Sequence, residues 1–404
     1  MIKLLQKLGP GLLFAGAAIG VSHLVQSTKA GANFGFGLLW ALLLINTIKY
    51  PFFQFGPRYA SATGESLLEG YQKLGKGALI LYTILTLGTM FTIQTAVTIV
   101  TAGIASSIFG LNVSVEGWTV IILSLCFGLL MIGKYKLLDN MMKVIIVVLS
   151  LSTIVAVGVA FCNHQSPIQW SQIVPKTDYE FIFLIAFMGW MPAPLDVSIW
   201  HSLWAIQKRK NLETFSAKTA LMDFNIGYIG TIILGVGFLM LGGLVMFGTG
   251  KTFSNNGGEF SLQLIDMYTQ NLGDWTYAII GAAALTTMFS TTLTTLDASP
   301  RALNKSIELL QNHPNTNGYT AWLIVLILGT ISIFFFFLSE MGTLIKIATI
   351  LSFLTAPFYA IMNYILICSK HTPTKWQPSK PMRIWSITGI LFLIGFNIWY
   401  LSIL

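Results

Sequence analysis

Long apolar segments recur along almost the whole chain, and they constrain its fold more than any other feature. A helix that spans the hydrocarbon core of a bilayer needs about 20 apolar residues. Because bare backbone in lipid is satisfied only in helices or closed barrels, and the alternation of a barrel is absent, the segments are predicted to be helices. Eleven predicted spans, numbered 1 to 11, lie at about 10–30, 34–56, 77–105, 117–133, 141–162, 180–206, 220–247, 275–298, 320–338, 342–367 and 384–403.

Composition supports a protein that faces lipid rather than water. Only 9% of the 404 residues are charged and 54% are hydrophobic, whereas soluble domains carry about a quarter charged residues. No linker divides the chain, so residues 1–404 are interpreted as one all-α membrane domain whose surroundings are the lipid bilayer.

The net charge of +8 predicts topology, and no nucleic-acid partner is expected. Eighteen of the 23 Lys and Arg residues fall on one set of alternate loops, and only Lys176 and Lys251 fall in the opposite loops. Cytoplasmic loops of membrane proteins are enriched in Lys and Arg. The distribution therefore predicts a cytoplasmic N-terminus and an outside C-terminus, in what we expect to be the inner membrane of a bacterium.

Motifs for catalysis or nucleotide binding are missing from the sequence. The glycine-rich stretch at 70–77 lacks the P-loop spacing and the Ser or Thr after Lys, so ATP-driven transport is not predicted. Ser198 and His201 are three residues apart without a supporting hydrolase motif. The chain is therefore predicted to be neither an enzyme nor a binder of ATP or another cofactor.

Spans 1 and 6 contain residues that interrupt transmembrane helices. Span 1 places glycines, Ser22 and His23 at mid-depth, and span 6 contains Pro192 and Pro194. Proline removes a backbone donor and clashes with the preceding turn. Matching breaks five spans apart are typical of a LeuT-type inverted repeat of five plus five helices, with the substrate site at the midplane. We therefore predict repeats at about 1–163 and 177–368 with a peripheral span 11; the alternative is simple kinking of packed helices.

The sequence resembles the Nramp family of proton-coupled divalent-metal transporters. The resemblance lies in the opening Gly9-Pro10-Gly11, in Ala30-Gly31-Ala32-Asn33-Phe34-Gly35-Phe36 with Leu38-Leu39-Trp40-Ala41-Leu42-Leu43-Leu44, in Arg58-Tyr59-Ala60 and Thr63-Gly64-Glu65-Ser66-Leu67, and in Met191-Pro192. It implies eleven spans, alternating access, and a cargo of divalent metal cations exchanged with protons.

The chain departs from the family at its metal-binding motifs. The family's Asp-Pro-Gly-Asn falls on Gly20-Val21-Ser22-His23, so a glycine stands in place of the metal-binding aspartate. The family's Met-Pro-His falls on Met191-Pro192-Ala193. A second register, on His201-Ser202, would move the motif by three residues. In the preferred register the resemblance implies a substrate site formed by Gly20, Ser22, His23, Met191, Ala193 and Asp196.

Three of these residues are predicted to bind metal. Asp196 follows the prolines of span 6 and would supply the carboxylate that Gly20 lacks, although it could simply cap a half-helix. The imidazole of His23 could bind a transition metal or exchange a proton, or bond to a free carbonyl. The thioether of Met191 favours soft metal ions, or fills a packing gap.

Ionisable side chains within spans usually face a pathway or a partner. Further candidates for proton coupling are Lys29, His201, Asp223 and Asp297, alongside His23 and Asp196. Lys49 and Lys346 also fall within spans, without an assigned role. Asp297 could instead form a helix-surface ion pair with Arg301, four residues later.

Three functions remain open from the sequence. The resemblance favours a transporter of divalent metal cations with proton coupling. The missing aspartate, together with Trp190 and Trp200 near the break, also allows a carrier of a small organic solute. A membrane sensor or scaffold that no longer transports is the third.

Overall fold

The computed structural model of the protein describes residues 9–111, 113–164, 168–211, 216–250, 253–254, 257–273, 277–336 and 341–403. The described residues form helices joined by short loops, without a strand. The helices are α1 Pro10–Ala18, a π-helical segment Val21–Ser27, α2 Thr28–Phe34, α3 Leu39–Thr63, α4 Leu67–Leu74, α5 Lys76–Phe109, α6 Val115–Asn163, α7 Asp178–Trp190, α8 Val197–Asn211, α9 Ala217–Val245, α10 Gly257–Leu272, α11 Tyr277–Gln311, α12 Gly318–Phe336, α13 Met341–Cys368 and α14 Lys380–Ile403.

Every predicted span lies on one or more of these helices. Among the described residues, eight segments are long and apolar enough to cross a membrane, and two of them, Val115–Ile132 and Val144–Asn163, belong to α6. The all-helical membrane fold is therefore confirmed, whereas the count of eleven crossings stays a prediction.

Capping residues fix where two of the helices begin. Ser66 precedes α4 and exchanges hydrogen bonds with Glu69, and Thr177 precedes α7 and does the same with Glu180. Each pair satisfies amides that the first helical turn leaves without partners. Because Thr177 fixes the start of α7, the interruption that follows Trp190 comes after 13 helical residues.

Span 1 lies in the centre of the molecule, packed closely against α9. The segment Pro10–Phe34 is buried except at Lys29 and Asn33, which are partly exposed. A Cβ on Gly31 would lie 2.0 Å from the Leu239 carbonyl oxygen, and one on Gly242 would lie 2.1 Å from that of Thr28. Only glycine permits so close an approach of two backbones, so this contact fixes the depth of span 1 against α9.

Candidate functional site

Span 1 is interrupted at its middle, as the sequence predicts. Helix α1 ends at Ala18, Gly20 has backbone angles outside the helical region, and a π-helical segment leads into α2. Such a change of helix type removes regular backbone hydrogen bonds, and π-helical turns are frequent at functional sites. The backbone groups freed at this point require other partners.

Side chains of span 1 supply part of that pairing. The Ser22 hydroxyl lies 2.5 Å from the Ala18 carbonyl oxygen and 2.7 Å from Nδ1 of His23. Nδ1 of His23 also lies 3.0 Å from the Ala18 oxygen, and Nε2 lies 3.0 Å from the carbonyl oxygen of Thr231 on α9. Both nitrogens of this fully buried ring therefore face protein partners, as the carbonyl-bonding alternative for His23 predicts.

Thr291 of α11 occupies the space beside Gly20. Its hydroxyl lies 3.0 Å from the Gly16 carbonyl oxygen and 3.3 Å from that of Ile19. A Cβ on Gly20 would come within 2.7 Å of this threonine side chain. The place where the family resemblance puts an aspartate is thus filled by a neutral side chain from another helix.

Span 6 is interrupted over the six residues between α7 and α8, Met191 to Asp196. The Lys49 ammonium, on α3, donates to the carbonyl oxygens of Met188 at 2.9 Å, Gly189 at 2.7 Å and Ala193 at 3.3 Å. A cation at a helix C-terminus is favoured by the helix dipole. Lys49 is fully buried, so its charge is compensated by these carbonyl groups at the end of α7.

Asp196 stands at the start of α8, on the other side of the interruption. Its carboxylate interacts with the backbone amides of Asp196 and Val197 and is attracted electrostatically by Lys49. The side chain is 5% exposed, and its Oδ1 has no hydrogen-bond partner among the described residues. Asp196 therefore keeps one acceptor oxygen that no described residue binds.

The two interruptions meet. The Ser22 hydroxyl lies 3.2 Å from the carbonyl oxygen of Pro192, which joins the break of span 1 to that of span 6. A cavity of about 20 Å³ lies beside this contact, lined by Ala17, Ala18, Val21, Ser22, Ile93, Val97, Trp190, Ala193, Pro194, Val197, Trp200, Thr291 and Thr295. A space of this size holds about one water molecule.

Two larger cavities lie on other parts of the molecule, and their charges differ. The outer vestibule measures about 450 Å³, and its lining among the described residues includes Lys29 and Lys346 but no acid. The inner vestibule measures about 320 Å³ and is lined by both signs, including Glu69, Arg301, Lys305 and Glu308. The names follow the predicted orientation of the chain.

Glu69 is an example of the paired charges in the inner vestibule. Its carboxylate lies 3.0 Å from the Lys305 ammonium. Partial burial alone would raise the pKa of Glu69, but hydrogen bonds from Ser66 and the contact with Lys305 outweigh it and lower the pKa. Ion pairs of this kind bind the inner ends of the helices together.

Other predicted site residues lie near the breaks without joining them. Met191 is fully buried and is not part of the wall of the central cavity. The His201 ring stacks on Phe14 at a centroid distance of 5.7 Å, and both its nitrogens lack hydrogen-bond partners among the described residues. Whether these residues contact a cargo stays a prediction.

Three predicted proton-coupling residues have structural partners. The two carboxylate oxygens of Asp223 accept hydrogen bonds from the amides of Gly9 and Gly11, at 3.1 and 2.8 Å. Asp297 forms a two-pronged ion pair with Arg301, and the side chain of Lys29 lies over the ring of Phe260. The structure therefore contains the ion pair with Arg301 that was the alternative to a proton-coupling role for Asp297.

The metal-ligand prediction finds only partial geometric support. Within the described part of the chain, no group of three or more His, Cys, Asp and Glu side chains is close enough to hold a metal ion. No role is assigned from the sequence to Thr291 or Lys49, although both bond to the interrupted spans. A lysine in an otherwise apolar span was the one available signal among them.

Comparisons with known proteins agree with this architecture. The family model described as natural resistance-associated macrophage protein-like matches residues 11–402. A relative from Pasteurella multocida (strain Pm70), an uncharacterized protein, is 34% identical over 404 residues, which covers 98% of this chain and 92% of the relative.

Solved structures show the same fold at low sequence identity. A mutant of the manganese transporter of Eremococcus coleocola superposes with a TM-score of 0.75 at 15% identity, over 99% of this chain and 86% of that one. MhsT in complex with L-phenylalanine superposes with a TM-score of 0.66 at 14% identity, over 96% of this chain and 98% of that one. With its LeuT-type fold and a family match over nearly its whole length, this chain belongs to the Nramp family.

Proposed function

We propose that this protein is a secondary-active transporter that moves a divalent metal cation by alternating access, coupled to protons. The observation that carries the proposal is the uncommitted carboxylate oxygen of Asp196, buried where the two interrupted spans meet. A buried acceptor without a partner is costly, so a site that retains one is suited to a ligand that supplies the missing interaction. Family membership supports the same cargo.

The donor set favours a hard cation. Asp196 offers a carboxylate oxygen, and the breaks offer carbonyl oxygens, which suit Mg²⁺ or Mn²⁺ better than soft metal ions. The predicted soft or nitrogen ligands are less available. His23 would have to give up a bond to Ala18 or Thr231, and the thioether of Met191 is a soft ligand.

Uptake of Mn²⁺ and Mg²⁺ into proteoliposomes tests this proposal. We expect Asp196→Asn to lose at least about 90% of the uptake, because it removes the only acid at the meeting of the breaks. Asp266→Asn, which changes an exposed acid on α10, is the matched control and should transport like the wild type. Wild-type uptake by Asp196→Asn would refute the role given to this carboxylate.

A carrier of a small organic anion is the second candidate. Two observations favour it: Trp190 and Trp200 line the central cavity, and two lysines are the charged side chains that line the outer vestibule within the described part of the chain. A vestibule of one charge sign raises the local concentration of ions of the opposite sign. Uptake of labelled organic acids without any metal uptake, weakened in Lys346→Gln, would support this candidate instead.

The membrane and the orientation belong to the same proposal. We place the protein in the bacterial cytoplasmic membrane, with its N-terminus inside and its C-terminus outside, on the distribution of its basic residues. Reporter fusions test the orientation. A C-terminal fusion that is active only in the cytoplasm would contradict it.

A further inference from the structure

The loop between α13 and α14, residues 369–379, carries charge of one sign. From residue 341 to the C-terminus the sequence contains no Asp or Glu. The loop and the first turn of α14 contain four basic residues, Lys370, Lys375, Lys380 and Arg383. We call Lys370, Lys375 and Lys380 the lysine rim.

Two arginines hold the loop in place. Arg58 of α3 donates to the carbonyl oxygens of Trp376 at 2.8 Å and Gln377 at 3.0 Å. Arg383 donates to the carbonyl oxygen of Pro378 and to the side chain of Gln377, both at 3.1 Å. Both guanidinium groups are therefore committed to the fold of the loop, and they fix where its lysines stand.

The lysine rim differs from other basic residues on its side of the protein. Lys73 pairs with Glu65, and Lys305 pairs with Glu69. All three side chains of the rim are exposed, and their ammonium groups form no hydrogen bond or ion pair with any described residue. The rim therefore presents positive charge that the described part of the protein does not balance.

An apolar stripe of α14 begins directly at the rim. Lys380 is the first residue of this helix, and Ile384, Ile387 and Leu391 follow it at intervals of four, three and four residues. Residues at these intervals share one face of a helix. The three apolar side chains are 66%, 45% and 65% exposed. Because α14 is long and apolar enough to cross a membrane, this uncovered stripe faces lipid chains.

Trp385 marks the depth of the rim in the membrane. Its ring stacks on Tyr50 at a centroid distance of 5.2 Å, and its Nε1 donates to the carbonyl oxygen of Thr47 at 3.0 Å. Tryptophan and tyrosine are enriched where a membrane meets water. Lys380 stands five residues closer to the helix end, or about 7.5 Å at 1.5 Å per residue, which is the side of the lipid headgroups.

We propose that the lysine rim and the exposed stripe of α14 bind an anionic phospholipid. Its phosphate would contact the lysines, and an acyl chain would lie along Ile384, Ile387 and Leu391. Basic clusters beside a membrane-spanning helix attract anionic lipids. A water-soluble polyanion would use the lysines but not the apolar stripe, whereas a phospholipid uses both. The proposal goes beyond the proposed function, since it does not depend on the cargo.

Titration of the detergent-solubilised protein with phosphatidylglycerol, followed by native mass spectrometry, tests the proposal. Phosphatidylcholine with the same acyl chains is the lipid without net charge. The triple variant Lys370→Gln/Lys375→Gln/Lys380→Gln keeps the length of the side chains and removes their charge. We expect it to bind phosphatidylglycerol at least about tenfold more weakly than the wild type, since each lysine near anionic lipid contributes several-fold in affinity. Binding of phosphatidylcholine should not change.

The matched control is Lys76→Gln/Lys176→Gln/Lys218→Gln. These lysines are exposed and stand on other parts of the protein, so the net charge changes equally. We expect this variant to bind phosphatidylglycerol within about twofold of the wild type, because exposed charges far from the rim are screened by salt. The variant with arginine at all three rim positions should also bind, since arginine keeps the charge and bonds to phosphate.

Wild-type affinity for phosphatidylglycerol in the rim variant would overturn the proposal, and so would an equal loss in the control variant. Displacement of the lipid by inorganic phosphate at the same concentration would overturn it as well, because the rim would then bind any phosphate. Thermal unfolding without lipid shows whether the rim variant is folded. If it is not, Lys380→Gln is measured alone, and unchanged binding in that variant would contradict the proposal.

Discussion

The interruptions of span 1 and span 6 face each other, but they are satisfied in opposite ways. The break in span 1 is bonded by neutral groups, the side chains of Ser22, His23 and Thr291. The break in span 6 is bonded by the fully buried Lys49 ammonium and leaves one oxygen of Asp196 without a partner. The side chains of Ser22 and His23 at the break of span 1 thus have partners, whereas the break of span 6 retains charge and an acceptor that no described residue binds.

This difference teaches where ligand-binding capacity remains in the molecule. The family resemblance implies that a metal-binding acid belongs to span 1, where this chain has Gly20 and a threonine packed over it. In this chain the acid at a break is Asp196 of span 6, and Lys49 lies beside it. Four substitutions test the comparison, and they follow from the largest expected effect to the smallest.

The largest effect is expected from Lys49→Met. The change leaves three buried carbonyl oxygens and the charge of Asp196 without their cation, and removing one partner of buried charges costs about 3–5 kcal/mol. Thermal unfolding in detergent should therefore show a marked loss of stability. The double variant Lys49→Met/Asp196→Asn should recover part of the lost stability, because neither substituted side chain carries a charge.

His23→Gln is the matched change in span 1. It removes a neutral ring from the other break and should cost less, about 1–3 kcal/mol, the penalty for leaving buried polar groups unsatisfied. If Lys49→Met lowered the stability less than His23→Gln, the break in span 6 would not depend on its side-chain partner more than the break in span 1 does.

An intermediate effect is expected from Gly20→Asp. The new Cβ would lie within 2.7 Å of Thr291, and overpacking of this kind costs about 1–3 kcal/mol. Thr291→Ala in the same chain should relieve most of the strain. The double variant should then bind Mn²⁺ more tightly than the wild type, measured by calorimetry. Equal stability of Gly20→Asp and the wild type would show that the threonine does not fill this position.

The smallest effect is expected from Ser22→Ala. The hydroxyl links the two breaks through the Pro192 carbonyl oxygen at 3.2 Å, and a neutral hydrogen bond contributes about 0.5–1.5 kcal/mol. We expect a small fall in melting temperature, with Mn²⁺ uptake retained. Abolished uptake without loss of stability would instead identify Ser22 as a cargo ligand.

The fold could be predicted because its causes are local. Apolar segments of bilayer length, glycines in span 1 and two prolines in span 6 each act through their own backbone. The family resemblance then fixed the arrangement of the helices. The number of crossings does not follow from length and hydropathy alone, because these identify eight segments among the described residues where eleven spans are predicted.

The site was less predictable because its contacts join residues far apart in the sequence. Lys49 bonds to carbonyl groups some 140 positions away, and Thr291 bonds to Gly16 across 275 positions. Nothing near these residues indicates such partners. Asp196 was identifiable because an acid beside two prolines in an apolar span is conspicuous by itself.

The glycine contacts between span 1 and α9 restrict how the carrier can open. The backbones touch at Gly31 and at Gly242, and at a third point where a Cβ on Gly227 would lie 2.2 Å from the Gly11 carbonyl oxygen. These points lie near both ends of span 1, so its two halves cannot pivot separately without opening a gap along α9. Span 1 and α9 should therefore travel as one rigid body, and the gates should be formed by the helices that slide past it.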